Sequence, residues 1–412
     1  MSILLFEDLL VERLSPITLA RPAWAISCGA MRLIDLLVEL DRPIYAAVRP
    51  HLRDLVAADF PLLTGKPVEG LDVDLLVNAR VVPCQETRLA LRKLLAEGKP
   101  GVIEHDGAIA AAIIPAEHLL PANTADSDAI LQWVDDLDLP VLPGELPCLD
   151  YPHDVVRYNK QHINENLEHR IAAETYQQLG DGLFVADGVT IGKQVVCDSS
   201  AGPIVLERDV TVGHLSVLTG PIYIGHTSRI APHAVIKDAV TIGHTTKIGG
   251  EVVVSVIEPY SNKQHHGFLG HSHVGSWVNL GAGTSNSDLK NTYGLINAQY
   301  GQQRVATGMQ LLGCFLGDYC KTAINTSIFT GKTVGVCSML YGFVTTNVPS
   351  FANYARSLGQ VTASNIEVML KTQERMFARR GVQPRECDRQ LIRDLHALTR
   401  GEHPQQDDML SL

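Results

Sequence analysis

The sequence predicts an α/β domain, then a left-handed parallel β-helix, then a closing helical segment. Three observations carry this. Nine positions six residues apart hold branched aliphatics: Leu206, Val212, Leu218, Ile224, Ile230, Ile236, Ile242, Ile248 and Val254. Helix-like and strand-like stretches alternate over residues 1–150. Beyond Pro349 the apolar residues return to helical spacing.

If branched aliphatics fill roughly a quarter of a chain, nine in register arise by chance on the order of once in 10⁵. Neither the 3.6-residue period of a helix nor the two-residue period of a half-buried strand produces them. A period of six fits a coil of three flat faces, each pointing one aliphatic inward. Gly213, Gly225, Gly243 and Gly249 follow directly, and are expected to turn the corners because glycine tolerates φ > 0. After Val254 the period falters. Ile257, Lys263 and Leu269 keep the step, Val274 comes one short and Leu280 resumes it. A polar stretch from Ser285 to Gly313 intervenes before Leu316, Thr322, Ile328, Val334 and Leu340. A loop that leaves a solenoid and rejoins it is an insertion on one face, expected to help build a binding surface. The β-helix is thus expected over 181–348, with the insertion at 285–313.

In the first 150 residues, LRDLVAADF and LALRKLLAEG read as helices, while PIYAAV, DLLVNARVV and GAIAAAII read as short buried strands. That alternation predicts an α/β layer domain. The Pro- and Asp-rich stretch 121–152 reads as a linker with one short helix. Residues 151–180 read as a connecting helix, with Val155, Ile163, Leu167 and Ile171 at helical spacing. The patterns NIEVMLKTQERMFARR and RQLIRDLHALTR make 349–412 a helical segment expected to cap or flank the solenoid.

A chain of 412 residues exceeds one ordinary core. Its 45% hydrophobic and 19% charged content is globular. The net charge of −11 argues against a general nucleic-acid binder. No apolar run reaches the ~20 residues of a membrane span, and MSILLFEDLLVER is acidic where a secretory leader is basic. The eight cysteines stand singly without a C-x-x-C pair, as expected of reduced thiols in a cytoplasmic protein.

Titratable side chains concentrate between Ser261 and Gly283, where the period falters. Lys263 takes an inward position, which an unpaired ammonium does not tolerate. The coil is therefore expected to be distorted, open or apposed to another subunit. His265, His266, His271 and His273 lie within nine residues, and an imidazole with a pKa near ~6.5 suits general-base work.

The run SVIEPYSNKQHHGFLGHSHVGSWVNLGAGTSNSDLKNTYG resembles the acetyltransferase region of the bifunctional N-acetylglucosamine-1-phosphate uridylyltransferase/glucosamine-1-phosphate N-acetyltransferase family. It is most similar to a bacterial branch of sugar nucleotidyltransferases with S-N-K-x-H-x-G-F-L-G-H-S and W-V-N-L-G-A-G-T motifs. The likeness continues through GDYCKTAINTSIFTGKTVGV and, weakly, to LSPITLARP near the N-terminus. The resemblance implies acetyl transfer from acetyl-CoA to an amino-sugar phosphate or nucleotide sugar, in a homotrimer. His265 matches the family's catalytic base and Asn279 the residue that orients the amino sugar. Phe268 stands where the family has a substrate-contacting Tyr. Ala282, Asp318 and Val336 match positions lining the acetyl-CoA tunnel. The family's basic phosphate contact is Val253 here, leaving Lys263 and Lys290 as candidate cations.

Nucleotidyltransferases of this superfamily open with a Gly-rich loop that cradles phosphates. Here FEDLLVERLSPITLARP has no Gly, which implies a degenerate domain. Arg21 and Arg32 remain as candidate phosphate contacts and Asp8 as a candidate ligand for Mg²⁺, should nucleotidyl transfer operate. DFPLL at Asp59 echoes a metal-binding motif. Two other functions compete: a non-catalytic sugar-nucleotide-binding scaffold, and a zinc hydrolyase of the trimeric β-helix carbonic anhydrase type, for which His266 and His271 have the H-x₄-H spacing.

Overall fold

The computed structural model describes residues 1–122 and 127–404. It divides into two compact units. Met1–Leu14, Arg21–Ile26 and Met31–Asp150 form the first; Ser15–Ala20, Ser27–Ala30 and Tyr151–Leu412 form the second.

The first unit is an α/β layer. Strands β1 (Ile3–Phe6), β2 (Ile44–Ala47), β3 (Leu75–Asn78), β4 (Gly101–His105) and β5 (Ala108–Ile113) form one sheet in the order β2-β1-β3-β5-β4. β1 pairs in parallel with β2 and β3, whereas β5 runs antiparallel to β3 and β4. Helices α1 (Leu33–Val38), α2 (Arg53–Asp59) and α3 (Gln85–Glu97) alternate with the strands. β1 and β4 form in addition to the expected strands, from runs too short to stand out from their surroundings. The stretch expected as a linker is part of this core: α4 (Ser127–Asp136) buries Ile130, Trp133 and Val134 against Leu4, Phe6 and Leu76. Residues 123–126 lie outside the described residues.

The second unit is a left-handed parallel β-helix. One face stacks 183–185, 204–206, 222–224, 240–242, 256–257, 273–274, 314–316 and 332–334 in parallel register. A second face runs from 190–191 to 262–263, then by single bridges through Asn279 to Lys321. The third runs from 196–198 to 268–270. Eight of the nine periodic aliphatics, Leu206 to Ile248, fill the bore; the ninth, Val254, does not. Val252 pairs with Ile236 and points inward in its place. This coil is shortened, which shifts the inward position by two residues.

The glycines work differently from expectation. Gly213, Gly225, Gly243 and Gly249 do not adopt positive φ. The left-handed residue comes two positions after the first three, at Leu215, Thr227 and Thr245, and directly after Gly249, at Gly250. Glycine is required by close approach instead. A Cβ on Gly225 would stand 2.6 Å from the His244 nitrogen, and one on Gly243 2.6 Å from the Pro259 nitrogen. Backbone cannot yield there as a flexible side chain would. Gly243→Ala is expected to cost about 2–3 kcal/mol and lower Tm by about 5–10 °C. Gly401→Ala, which meets nothing within 4 Å, should leave the melting curve in place.

Helix α5 (Pro152–Ala173) covers the first face. It ends at Ala173, short of the expected residue 180, because Glu174 turns extended. Its Asn159 is fully buried and fully engaged. The side-chain oxygen accepts from Gly29 N (2.9 Å) and Thr241 Oγ1 (2.7 Å), and the amide donates to Ala239 O (2.8 Å). The insertion leaves after Ser285–Asn286 and rejoins at Cys314–Leu316, with a hairpin of Asn297–Tyr300 and Gln303–Ala306. It folds onto the start of α5, where Tyr300 Oη meets His153 Nδ1 at 2.8 Å and Arg157 donates to Thr307 O. Helices α6 (Ile366–Arg379) and α7 (Glu386–Leu398) lie along the corner that follows the first face. Phe377 stacks on Trp277 at 4.3 Å, and His396 meets Phe351 edge-on at 5.0 Å.

Candidate active site

The histidine-rich coil begins with a buried cation. Lys263 sits in the inward register, paired with Ile248, and is 3% exposed. Its Nζ donates to Gly249 O (2.7 Å), Gly267 O (2.7 Å) and His265 O (3.2 Å). Three carbonyls take its three protons, so the coil needs neither opening nor a second subunit to hold it, and Lys263 has no proton left for a substrate phosphate. Burial lowers its pKa from 10.5 to about 8. Between those values the unfolded chain binds more protons than the folded one, so this group's contribution to stability rises as pH climbs from about 8 to 10.5. Against Lys263→Met, the wild-type urea midpoint should gain between about pH 7.5 and pH 10. An unchanged difference would contradict this account.

His265 and His266 follow on the corner between the second and third faces, both exposed. His265 makes no side-chain hydrogen bond among the described residues. One coil further, the same corner carries Gly281-Ala282-Gly283, tied to the first by Gly283 N donating to His266 O (3.0 Å). Gly281 N donates to Thr322 Oγ1 (2.8 Å); among the described residues the Ala282 N–H makes no hydrogen bond. Asn279 lies just before this corner, exposed, and accepts from Asn262 Nδ2 at 3.3 Å. The structure thus brings His265, Asn279 and Ala282 onto one edge of adjacent coils.

Other expected site residues fall elsewhere. Asp318 and Val336 are 2% and 0% exposed. They occupy the corner flanked by α6 and α7, where Asp318 Oδ1 accepts from Ser276 N (2.6 Å) and Tyr319 bonds Gln373. Within this chain α6 packs against that corner, through Gln373 on Tyr319 and Phe377 on Trp277. Lys290 lies in the insertion and donates to Leu295 O (2.6 Å). Phe268 stands on the third face, outward, beside His271 and Val253 in a cavity of about 580 Å³.

The four histidines separate by role. His271 is 7% exposed and its Nδ1 pairs with Asp288 Oδ2 at 2.8 Å. His273 is fully buried under the first-face cover, with Nε2 3.4 Å from Glu258 Oε1, which also accepts from Ser27 N (2.9 Å). His266 and His271 sit at opposite ends of strand Phe268–Gly270, and His271 is engaged by a carboxylate; within one chain they do not form a shared ligand pair.

In the first unit, the crevice at the carboxyl ends of β1, β2 and β3 is the position where open α/β sheets bind ligands. It is filled by ion pairs. Asp8 accepts from Arg80 Nε (2.8 Å) and Nη2 (2.7 Å) and from Asn78 (2.8 Å). Glu7, 1% exposed, binds Arg49 at 3.0 Å and Ala23 N at 3.0 Å. Asp8 therefore does not fit a Mg²⁺ ligand: its oxygens are already covered by a buried fork of donors. Arg32 is likewise held by Asp35, at 2.6 Å across the first turn of α1. Arg21 is half-buried and its carbonyl accepts from Arg49 (3.0 Å). Asp59 closes α2, and the next residue, Phe60, packs edge-on to Trp24 at 4.6 Å. His105, Asp106 and Asp150 do converge, with donor atoms within 4.8 Å of one another, but Asp150 also carries Arg80 at 2.8 Å. No spacing in the sequence marks that group.

No helix of the described residues is long and apolar enough to cross a membrane. The eight cysteines form no disulfide among the described residues, and burial pushes the thiols of Cys148, Cys314 and Cys320 up to about 12.

Among known proteins, the chain is 32% identical over 91 residues to a bifunctional sugar-1-phosphate nucleotidylyltransferase/acetyltransferase of Sulfurisphaera tokodaii. That stretch is 22% of this chain and spans only 23% of the relative's length. Similar solved structures include a UDP-N-acetylglucosamine acyltransferase of Francisella novicida, at 16% identity and TM-score 0.21, covering 51% of this chain and 76% of that one. Another is a mutant GDP-perosamine N-acetyltransferase of Caulobacter crescentus in complex with CoA and GDP-perosamine, at 10% identity and TM-score 0.14, covering 85% and 91%. The model of the sugar nucleotidyl transferase family matches residues 3–174. Over those residues the chain carries the sequence pattern of that family, as its resemblance implied.

Proposed function

We propose that the protein transfers an acetyl group from acetyl-CoA to the amine of an amino-sugar phosphate or nucleotide sugar. The observation that carries this reading is the joining, in one chain, of a sugar nucleotidyl transferase pattern at 3–174 to a hexapeptide β-helix. The relative of Sulfurisphaera tokodaii is named for the same pair of activities. In the transfer, the acceptor nitrogen attacks the thioester carbon, and its proton passes to His265 Nδ1 or Nε2. The carbon–sulfur bond breaks, and the leaving CoA thiolate takes that proton from His265. Ala282 N–H supports the developing oxyanion, and Asn279 orients the amine. The reading includes a homotrimer, consistent with the exposed Ile324, Phe329 and Phe343 on the later coils, and a cytoplasmic setting.

Nucleotidyl transfer by the first unit is the second reading, favoured by the match over 3–174. The ion pairs filling its strand-end crevice weigh against it. Incubating the protein with acetyl-CoA and hexosamine 1-phosphates, and separately with nucleoside triphosphates and sugar phosphates, tests both. Free CoA thiol from the first mixture supports acetyl transfer, and pyrophosphate from the second supports nucleotidyl transfer. Silence in both would leave the scaffold function standing.

A further inference from the structure

The 580 Å³ cavity is lined by Phe268 and His271, on the strand that follows the His265 corner. Its lining combines Lys160 and Asn164 of α5, Asp238 and Glu251, the Phe268 ring, and His271. The volume is in the range of small-molecule sites.

Two features show a built wall. His271 is pinned at both backbone ends, its N–H donating to Val253 O (3.0 Å) and its carbonyl accepting from Gly313 N (2.8 Å). Its Nδ1 is held by Asp288, which leaves Nε2 as the atom it offers the cavity. Gly270 supplies the second feature: a Cβ there would stand 2.5 Å from Phe268 Cζ and collide with the Asp288 carboxylate. The bare glycine lets the aromatic ring lie along the strand beside the His–Asp pair.

The chemistry of this lining is specific. An apolar ring face next to carboxylates, an amide and a fixed imidazole suits a molecule with one C–H face and several hydroxyls. Lys160 and Asp238 are exposed, and their side chains make no hydrogen bond or ion pair among the described residues, so an ammonium is present for a phosphate and a carboxylate for a hydroxyl or amine. Glu251 is steadied by Lys237 at 2.9 Å.

We propose that this cavity binds the carbohydrate moiety of the acceptor, and that His271, oriented by Asp288, is a specificity-determining residue that hydrogen-bonds a sugar hydroxyl. The inference rests on the transfer reading above. Asp288 is a positioning residue. The groups bearing on His271 are Asp288 from the insertion, Glu251, Lys237 and Asp238 from the solenoid, and Lys160 from α5.

The test uses the full chain, with glucosamine 1-phosphate and galactosamine 1-phosphate as probes. Calorimetry measures binding without acetyl-CoA, and CoA release measures turnover. His271→Gln and Asp288→Asn are expected to weaken binding of the preferred sugar at least tenfold and to raise its KM by a similar factor. The KM for acetyl-CoA, the melting temperature and kcat should each change less than threefold. The opposite split, kcat falling a hundredfold at constant KM, would make His271 the proton acceptor and overturn the assignment. So would unchanged affinity in both variants, or failure of the wild type to bind either probe at millimolar concentration. His271-dependent binding without CoA release from any acceptor would sink the transfer reading and leave the site. CoA release indifferent to both substitutions would do the reverse.

Discussion

Replacing His265 by alanine is expected to lower kcat for acetyl transfer by about 10²–10⁴-fold, equivalent to roughly 3–5 kcal/mol of barrier. An ammonium has no lone pair with which to attack a thioester, so the acceptor must lose a proton, and His265 is an exposed imidazole, at the position matching the family's base, on the edge that also carries Asn279 and Ala282. Because its side chain holds no other group in place, the fold should be unaffected, and the Tm should stay within about 1 °C. His266→Ala, one residue away but not at the position matching the family's base, should cost less than tenfold. Asn279→Ala should fall between, through lost orientation. Steady-state kinetics of the three variants decide the matter: equal losses at His265 and His266 would remove His265 from its role.

The largest effect on stability is expected at Arg80. Its guanidinium is 1% exposed and bridges Asp8, Asp150 (2.8 Å) and the Leu149 carbonyl (3.1 Å). Arg80→Ala leaves the Asp8 carboxylate buried without its counter-charge, and is expected to destabilise the first unit by about 3–5 kcal/mol. Arg80→Lys should recover little, since a point ammonium cannot reproduce the fork onto both Asp8 oxygens. Urea denaturation followed by Trp24 and Trp133 fluorescence reads this directly. A loss below about 1 kcal/mol would mean that the crevice is wetter than its geometry indicates.

The fold was legible wherever a local period or a local composition encodes it. The aliphatics from Leu206 to Ile248 needed no partner information, since each coil repeats the same inward step. Val254 was misplaced because a shortened coil changes the step without changing residue type. The corner glycines were located correctly but explained wrongly, because the atom they make room for belongs to the next coil. The site was less legible for the same reason. Arg80 and Asp8 stand 72 residues apart, and His271 and Asp288 are separated by a coil; no periodicity links an acid to its distant base. The covering of the Asp318 corner likewise depends on where α6 and α7 fold back, which helical spacing alone does not indicate.

The cover over the first solenoid face has a consequence for assembly during synthesis. Ser27–Ala30 and α5 are both made before any coil they cover. Translation delivers the chain N-terminus first, at about 5–20 residues per second. Each new coil therefore emerges next to a finished surface as well as to the coil before it. Thr241 meets Asn159 and the Ala30 amide, and Glu258 meets Ser27. A bare solenoid can slip by one coil, because every coil offers its neighbour nearly the same edge. Here the contacts to older chain differ from one coil to the next, so the growing stack is threaded against a fixed ruler, and a slipped register would leave Asn159 and Glu258 facing the wrong rungs.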